Sequence, residues 1–299
     1  MIRYLSFISL FLLGMSSPLF AQNGLQVYDL ASSQLRLMKA YQKADSLKRS
    51  NIFYDSIYVP NSAIWDGYMG NGDELVKWTT ARLSTLPQML LKNKNLNTRR
   101  LSSDLSAVAL EMEKLTGFRP QGKWYIFYGA AWTDLGALGN EAMIIDLSHS
   151  SNSSNERIKR LFPHELTHQI MMRSNTHQDT SAISSILGEG FAVWMSKKYW
   201  GDKYSLSDLL GYTEEELQRC DKNLDALKTV YMKYRYASDQ EIINLFRNRD
   251  VKLNEKLPGA IGYYIGYRIV EAYVAKYGDA SYKDIFTKPA KEIAELSGF

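Results

Sequence analysis

The chain has 299 residues, 45% of them hydrophobic, which is enough for a substantial buried core. Its 36 Lys and Arg against 32 Asp and Glu leave a net charge of +4, too small a surplus to argue for nucleic acid as a partner. A single cysteine, Cys220, excludes an intramolecular disulfide, a thiolate metal site and a CxxC redox pair.

Arg3 precedes an apolar run from Tyr4 to Leu13, and Gly14, Ser16, Ser17, Pro18 and Phe20-Ala21 follow. This is the pattern of a secretory signal peptide over residues 1–21, and it predicts export to a bacterial periplasm or beyond. The run is about half the roughly 20 residues a membrane-spanning helix needs, so no stable membrane insertion is expected after cleavage. With no cysteine near Ala21, a lipid-anchored form is not expected.

From Leu25 to Arg49, Leu30, Leu35, Leu37, Met38, Tyr41 and Leu47 stand in a polar, proline-free segment and predict an amphipathic helix. A turn-rich stretch with Pro60, Asn61, Gly67, Gly70, Asn71 and Gly72 comes next, then a helix from about Asp73 towards Thr85. Ser102 or Ser103 can cap a helix through Leu105, Val108, Met112 and Leu115 that Gly117 ends.

Trp124 to Tyr128 and Ala142 to Leu147 read as strands, joined by a Gly- and Ala-rich connection. Ser153 with Glu156 three residues later matches a capping box for the next helix. The final third is helical by pattern over Ser181 to Tyr199, Thr213 to Arg235, Asp239 to Asn248 and Ala260 to Tyr277. Without repeats or a long linker, the expectation is one domain over 22–299 with a helical N-terminal part to about residue 118. Its fold class is α+β, mostly helical, with a small mixed sheet before the central helix.

That central helix carries Pro163-His164-Glu165-Leu166-Thr167-His168, an HExxH motif. Residues four apart share a helix face, so His164 and His168 can bind one metal ion through imidazole nitrogen. Glu165 can then reach metal-bound water as a general base. With 4 histidines, roughly three chains in a thousand would carry the motif by chance, and the apolar stripe Ile158, Phe162, Leu166, Ile170 would seat this helix in a core. Pro163 predicts either a kink or a fresh helix start, and both leave the His164 to His168 turn intact.

A metal needs a third ligand, for which His177, Asp179 and Glu189 are the downstream candidates. Glu189 lies in Leu187-Gly188-Glu189-Gly190-Phe191, within an apolar helical stretch where a carboxylate is costly unless it is paired or coordinates metal. A salt bridge to a core arginine is the alternative to ligation. Two flanking glycines weaken a helix and imply close approach of another backbone or a metal-site wall. The expected cofactor is one Zn(2+) per chain on His164, His168 and Glu189.

These motifs resemble those of the gluzincin metallopeptidases, in which a glutamate from the next helix joins HExxH. The residue four after Glu189 is Val193, not the aspartate of the thermolysin pattern. Gly-Glu-Gly-Phe-Ala is closer to a bacterial family of predicted zinc-dependent proteases with a Glu-Gly-x-Ala motif. A glycine and tyrosine helix, Gly262-Tyr263-Tyr264-Ile265-Gly266-Tyr267-Arg268, extends the similarity, which spans Trp124 to Asp284. The resemblance implies a zincin-like fold and zinc-dependent hydrolysis of a peptide or protein substrate. Tyr264 and Arg268 are candidate donors to the reacting oxygen, and Ala142 to Leu147 is the candidate sheet edge for an extended substrate. The rival expectations are hydrolysis of a non-peptide bond and a catalytically silent envelope protein that uses the fold for binding.

Overall fold

The computed structural model describes residues 24–138, 142–174 and 179–299. The expected leader over 1–21 and the candidate ligand His177 lie outside the described residues. Leu25–Asp29 (β1) is a strand, not the first turns of the expected Leu25 to Arg49 helix. It pairs in parallel with Gly122–Phe127 (β2), Leu25 opposite Gly122, so a partner about a hundred residues away overrides the local helical spacing. The helix itself is divided into Ala31–Lys43 (α1) and Ser46–Asn51 (α2), the latter capped by Asp45.

Ser62–Met69 (α3), Gly72–Arg82 (α4) and Leu86–Leu96 (α5) follow, with Asn71 capping α4 through the amides of Asp73 and Glu74. Thr98–Thr116 (α6) begins a turn earlier than expected, because Asn97 caps it. Ser102 and Ser103 sit inside the helix and return their hydroxyls to the carbonyls of Thr98 and Arg99. Gly117 ends it in the left-handed region, as its position predicts.

Leu135–Leu138 (β3) and Ala142–Asp146 (β4) complete a four-stranded sheet in the order β1-β2-β4-β3. β1, β2 and β4 are parallel, whereas β3 runs antiparallel to β4. β4 is therefore an inner strand and not the edge expected of Ala142 to Leu147; β3 is the edge on that side. Burial explains the difference, since Met143, Ile144, Ile145 and Asp146 are all buried, the continuous pattern of a strand covered on both faces. Trp124, Ile126, Met143 and Ile145 point into the larger core under the helices of the C-terminal half. Phe127 and Ile144 point into a smaller core with Phe53, Trp65 and Tyr68.

Asn155–Ser174 (α7) runs unbroken through Pro163. Its cap is Ser154, whose hydroxyl accepts from the Arg157 amide at 3.2 Å, one residue later than the expected Ser153 box. Ala182–Trp200 (α8) follows, then Leu206–Leu210 (α9). Thr213 to Arg235 is two helices, Glu214–Lys222 (α10) and Leu224–Tyr234 (α11). Gln240–Arg247 (α12), Ile261–Tyr277 (α13) and Ala290–Ser297 (α14) end the chain. The whole is mostly helical with a small mixed sheet, an α+β protein.

α8 and α13 cross at glycine. A Cβ added to Gly190 would stand 2.0 Å from the Gly266 carbonyl carbon, and one added to Gly266 would stand 2.0 Å from the Ile186 carbonyl oxygen. The α13 glycines thus admit α8 and, at Gly262, the end of α12.

Candidate metal centre

Ile158, Phe162, Leu166 and Ile170 are buried and fix the rotation of α7. Phe162 meets the Trp124 ring edge to face at 4.6 Å, and the Trp124 indole donates to Gln169 at 3.1 Å. With that face in the core, His164 and His168 project together towards α8. The Gly190 crossing on α13 holds α8 in register, and Glu189 points back at them.

The three side chains form a tight triangle. The Nε2 atoms of His164 and His168 are 3.1 Å apart, and Oε2 of Glu189 is 3.3 Å from the first and 3.2 Å from the second. Donors around a tetrahedral zinc at about 2.0–2.1 Å are themselves roughly 3.3–3.5 Å apart, so the set fits such an ion with a side left open. Among the described residues these three are brought together as a candidate metal-holding group. Asp179 is not in it: its carboxylate accepts from the Ser181 amide and hydroxyl at 2.9 and 2.6 Å.

The other Glu189 oxygen, Oε1, is 3.1 Å from Nη2 of Arg247 on α12. The salt-bridge reading is met on Oε1, by a half-exposed arginine and not a core one, while Oε2 faces the two imidazoles and is left for a metal. Burial by itself would raise the Glu189 pKa, but the charges and hydrogen bonds of His168 and His164 outweigh it and hold the group well below the carboxylate range. His168 is the converse: burial would lower it, yet Glu189 carries it above the ordinary imidazole value. Glu165 is raised by burial, the imidazole charges opposing.

A cavity of about 590 Å³ opens on this triangle. One wall is Thr133, Asp134 and the β3 residues Leu135, Gly136 and Ala137; Glu165, Met171, Met172 and Tyr263 face it. The Tyr263 ring lies parallel to the His164 ring at 6.0 Å and has the Arg249 guanidinium over its face at 5.2 Å. Burial first, then the Glu189 charge, pushes its phenol up.

Tyr264 and Arg268 are not part of this wall. One residue is about 100° of helix rotation, and that turns Tyr264 to α10, where its hydroxyl donates to Asp221 at 2.5 Å. Arg268 joins the same cluster, 3.5 Å from Asp221 and 3.0 Å from Glu271. The expectation of oxygen donors at these two positions is corrected, and Tyr263 holds the place beside His164. Tyr263 was legible only as one of several tyrosines in a glycine-rich helix. Arg247 and Asp134 carry no local sequence signal, since each reaches the site from an element distant in the chain.

Fold and site together define a mostly helical α+β protein with a His-His-carboxylate donor set under an open cleft. Within that class, residues 150–299, half of the chain, match the family described as gliding motility protein GldB, and the chain belongs to that family. The matched half contains His164, Glu165, His168 and Glu189. No curated protein and no solved structure matches the chain.

This membership corrects the gluzincin and Glu-Gly-x-Ala protease resemblance, and with it the expected zinc hydrolase acting on peptide or other bonds. The family is one of gliding motility, not of peptidases. The physical reason is that HExxH with a following glutamate specifies where three donor atoms meet; it does not specify a reaction. Family membership agrees with the expected export. Among the described residues, no helix is long and apolar enough to cross a membrane.

Proposed function

We propose that the protein works in gliding motility from the periplasmic or outer side of the cell envelope, as a binding protein whose metal-bearing cleft takes an extended segment of a partner protein. The donor triangle within the family-matched half carries this reading. His164, His168 and Glu189 would hold one zinc ion, in a frame whose order of sheet, histidine helix and glutamate helix supports a zincin-like fold. A bound zinc supplies a Lewis-acidic position for an oxygen or nitrogen of the ligand. The chain's own residues do the rest: β3 offers an edge for backbone pairing, Tyr263 and the two methionines close the opposite side, and Arg247 holds Glu189 in place.

The test is metal content of the purified chain together with complementation of a gliding strain that lacks the gene. One zinc per chain is expected, with spreading restored by wild type and by Glu165→Gln but not by His164→Ala/His168→Ala. A zinc-free wild type, or normal spreading by the double variant, would falsify the metal role. Loss of spreading on Glu165→Gln with zinc retained would overturn the binding reading.

A further inference from the structure

A second cavity, of about 380 Å³, meets the first at the donor triangle. Both are lined by His168, Gly188, Glu189 and Arg247. Beyond that shared line the two differ in chemistry. The first has the β3 edge and three methionines, Met143, Met171 and Met172, whereas the second is walled by Thr180, Ser181, Ser184 and Gln240. Gly188 is the point of passage, since a Cβ there would meet nothing within 4 Å. Glycine inside a helix costs about 0.5–1 kcal/mol relative to alanine, and neighbouring backbone does not require it here, unlike at Gly190.

Arg247 spans the junction. Its side chain is 53% exposed, and among the described residues its one ion-pair partner is Glu189 Oε1, which leaves guanidinium donors facing the cleft. Asp179 is the opposing charge on this wall, but both its oxygens accept from Ser181. On the side of the second cavity Arg247 and a divalent ion at the triangle stand against Glu189 and Asp179, while Glu165 and Asp134 line only the first cavity. Hydroxyl and amide donors beside an arginine suit a carboxylate.

Resting on the proposed binding role, we infer that the cleft is continuous across the metal centre and that its polar arm reads a carboxylate. The ligand is an extended polypeptide whose backbone lies on β3 and whose acidic side chain or chain terminus lies against Arg247. Gly188 keeps the passage open.

The experiment is selection of short random displayed peptides on the zinc-loaded full chain, followed by titration of an enriched synthetic peptide and its Asp→Asn, Glu→Gln or amidated counterpart. Enriched sequences carry an acidic group at a fixed place, and the neutral counterpart binds about tenfold more weakly or worse. Arg247→Gln erases that difference and Arg247→Lys restores part of it. Gly188→Leu abolishes binding while zinc content and thermal unfolding stay as in wild type. Enrichment without acidic bias, no enrichment, or an unchanged preference in Arg247→Gln overturns the inference. Enrichment without acidic bias and an unchanged preference in Arg247→Gln leave the proposed function standing, whereas no enrichment at all counts also against its extended ligand; its metal and gliding roles are read separately by zinc content and complementation.

Discussion

Arg247 and Glu189 are joined through one carboxylate oxygen only: Nη2 lies 3.1 Å from Oε1, while Oε2 faces His164 and His168 at 3.3 and 3.2 Å. The pairing divides the carboxylate into an anchored oxygen and a presented one. Groups that orient a ligand in this way typically matter 10–100-fold in metal affinity. Arg247→Gln is therefore expected to retain zinc at high concentration but to bind it about tenfold or more weakly, by competition with a chelator. Glu189→Ala is expected to lose it after dialysis. Equal affinity in Arg247→Gln and wild type would show that Glu189 needs no anchor.

The pH dependence of the metal-free protein follows from the same groups. His168 is raised above its ordinary 6.5, so its contribution to stability is complete below that value and is lost as pH rises through the raised pKa. Glu165, raised above 4.5 by burial, acts in the same direction from lower pH, since its folded form keeps a proton longer than the unfolded chain. Glu189, held below 4.5, contributes above that value and loses its contribution only in acid. Chelator-treated protein is expected to melt at a lower temperature at pH 8 than at pH 5.5, with His168→Ala flattening the upper part of that decline. Zinc reverses the trend, because the ion binds neutral imidazole. A metal-free melting temperature that rises across this interval would contradict the assigned directions.

Much of this architecture is visible in local pattern, and what is not has a common cause. α7, α8 and α13 announce themselves through apolar spacing, and the buried Glu189 between glycines points to either a metal or an arginine, both of which the site accommodates. β1 is hidden because Leu25–Asp29 becomes a strand only beside β2. β4 shows its burial in its composition but not its neighbours, so the free edge falls one strand further, on β3. Arg247 and Asp134 reach the cleft by tertiary packing alone. The biological role was the least legible part, since the same donor triangle can hold a metal for hydrolysis, for binding or for structure.

The two glycines beside Glu189 should respond in opposite ways. At Gly190 an added methyl group collides with the Gly266 backbone at 2.0 Å, and backbone cannot yield as a side-chain tip can. Gly190→Ala is expected to cost about 2–3 kcal/mol or prevent folding, by forcing α8 and α13 apart. Gly188→Ala meets open space and removes helix-interior glycine, so it should be neutral or stabilise by about 0.5–1 kcal/mol. Denaturant unfolding of the two variants checks this contrast, and equal destabilisation would mean that the crossing does not depend on Gly190.

Asp146 shapes the wall of the cleft opposite the donors. It is fully buried on β4 and accepts from the amides of Gly129, Ala131 and Ser148 at 2.8, 2.6 and 2.7 Å and from the Tyr68 hydroxyl at 3.1 Å. The Tyr68 oxygen in turn accepts from the amides of Trp132 and Thr133 at 2.9 and 3.1 Å, and burial pushes its phenol up to about 12. The connection that carries Thr133 and Asp134 into the cleft is thus held by a carboxylate and a phenol, one from the sheet and one from α3. Asp146→Ala strands three backbone donors at about 1–3 kcal/mol each, so a loss of about 3 kcal/mol or more is expected. Tyr68→Phe keeps the ring and the carboxylate but leaves two amides without their acceptor. Its fold and zinc content should stay intact while hydrogen exchange quickens at Trp132 and Thr133; unchanged exchange at both amides would show that the wall is held by something other than this pair.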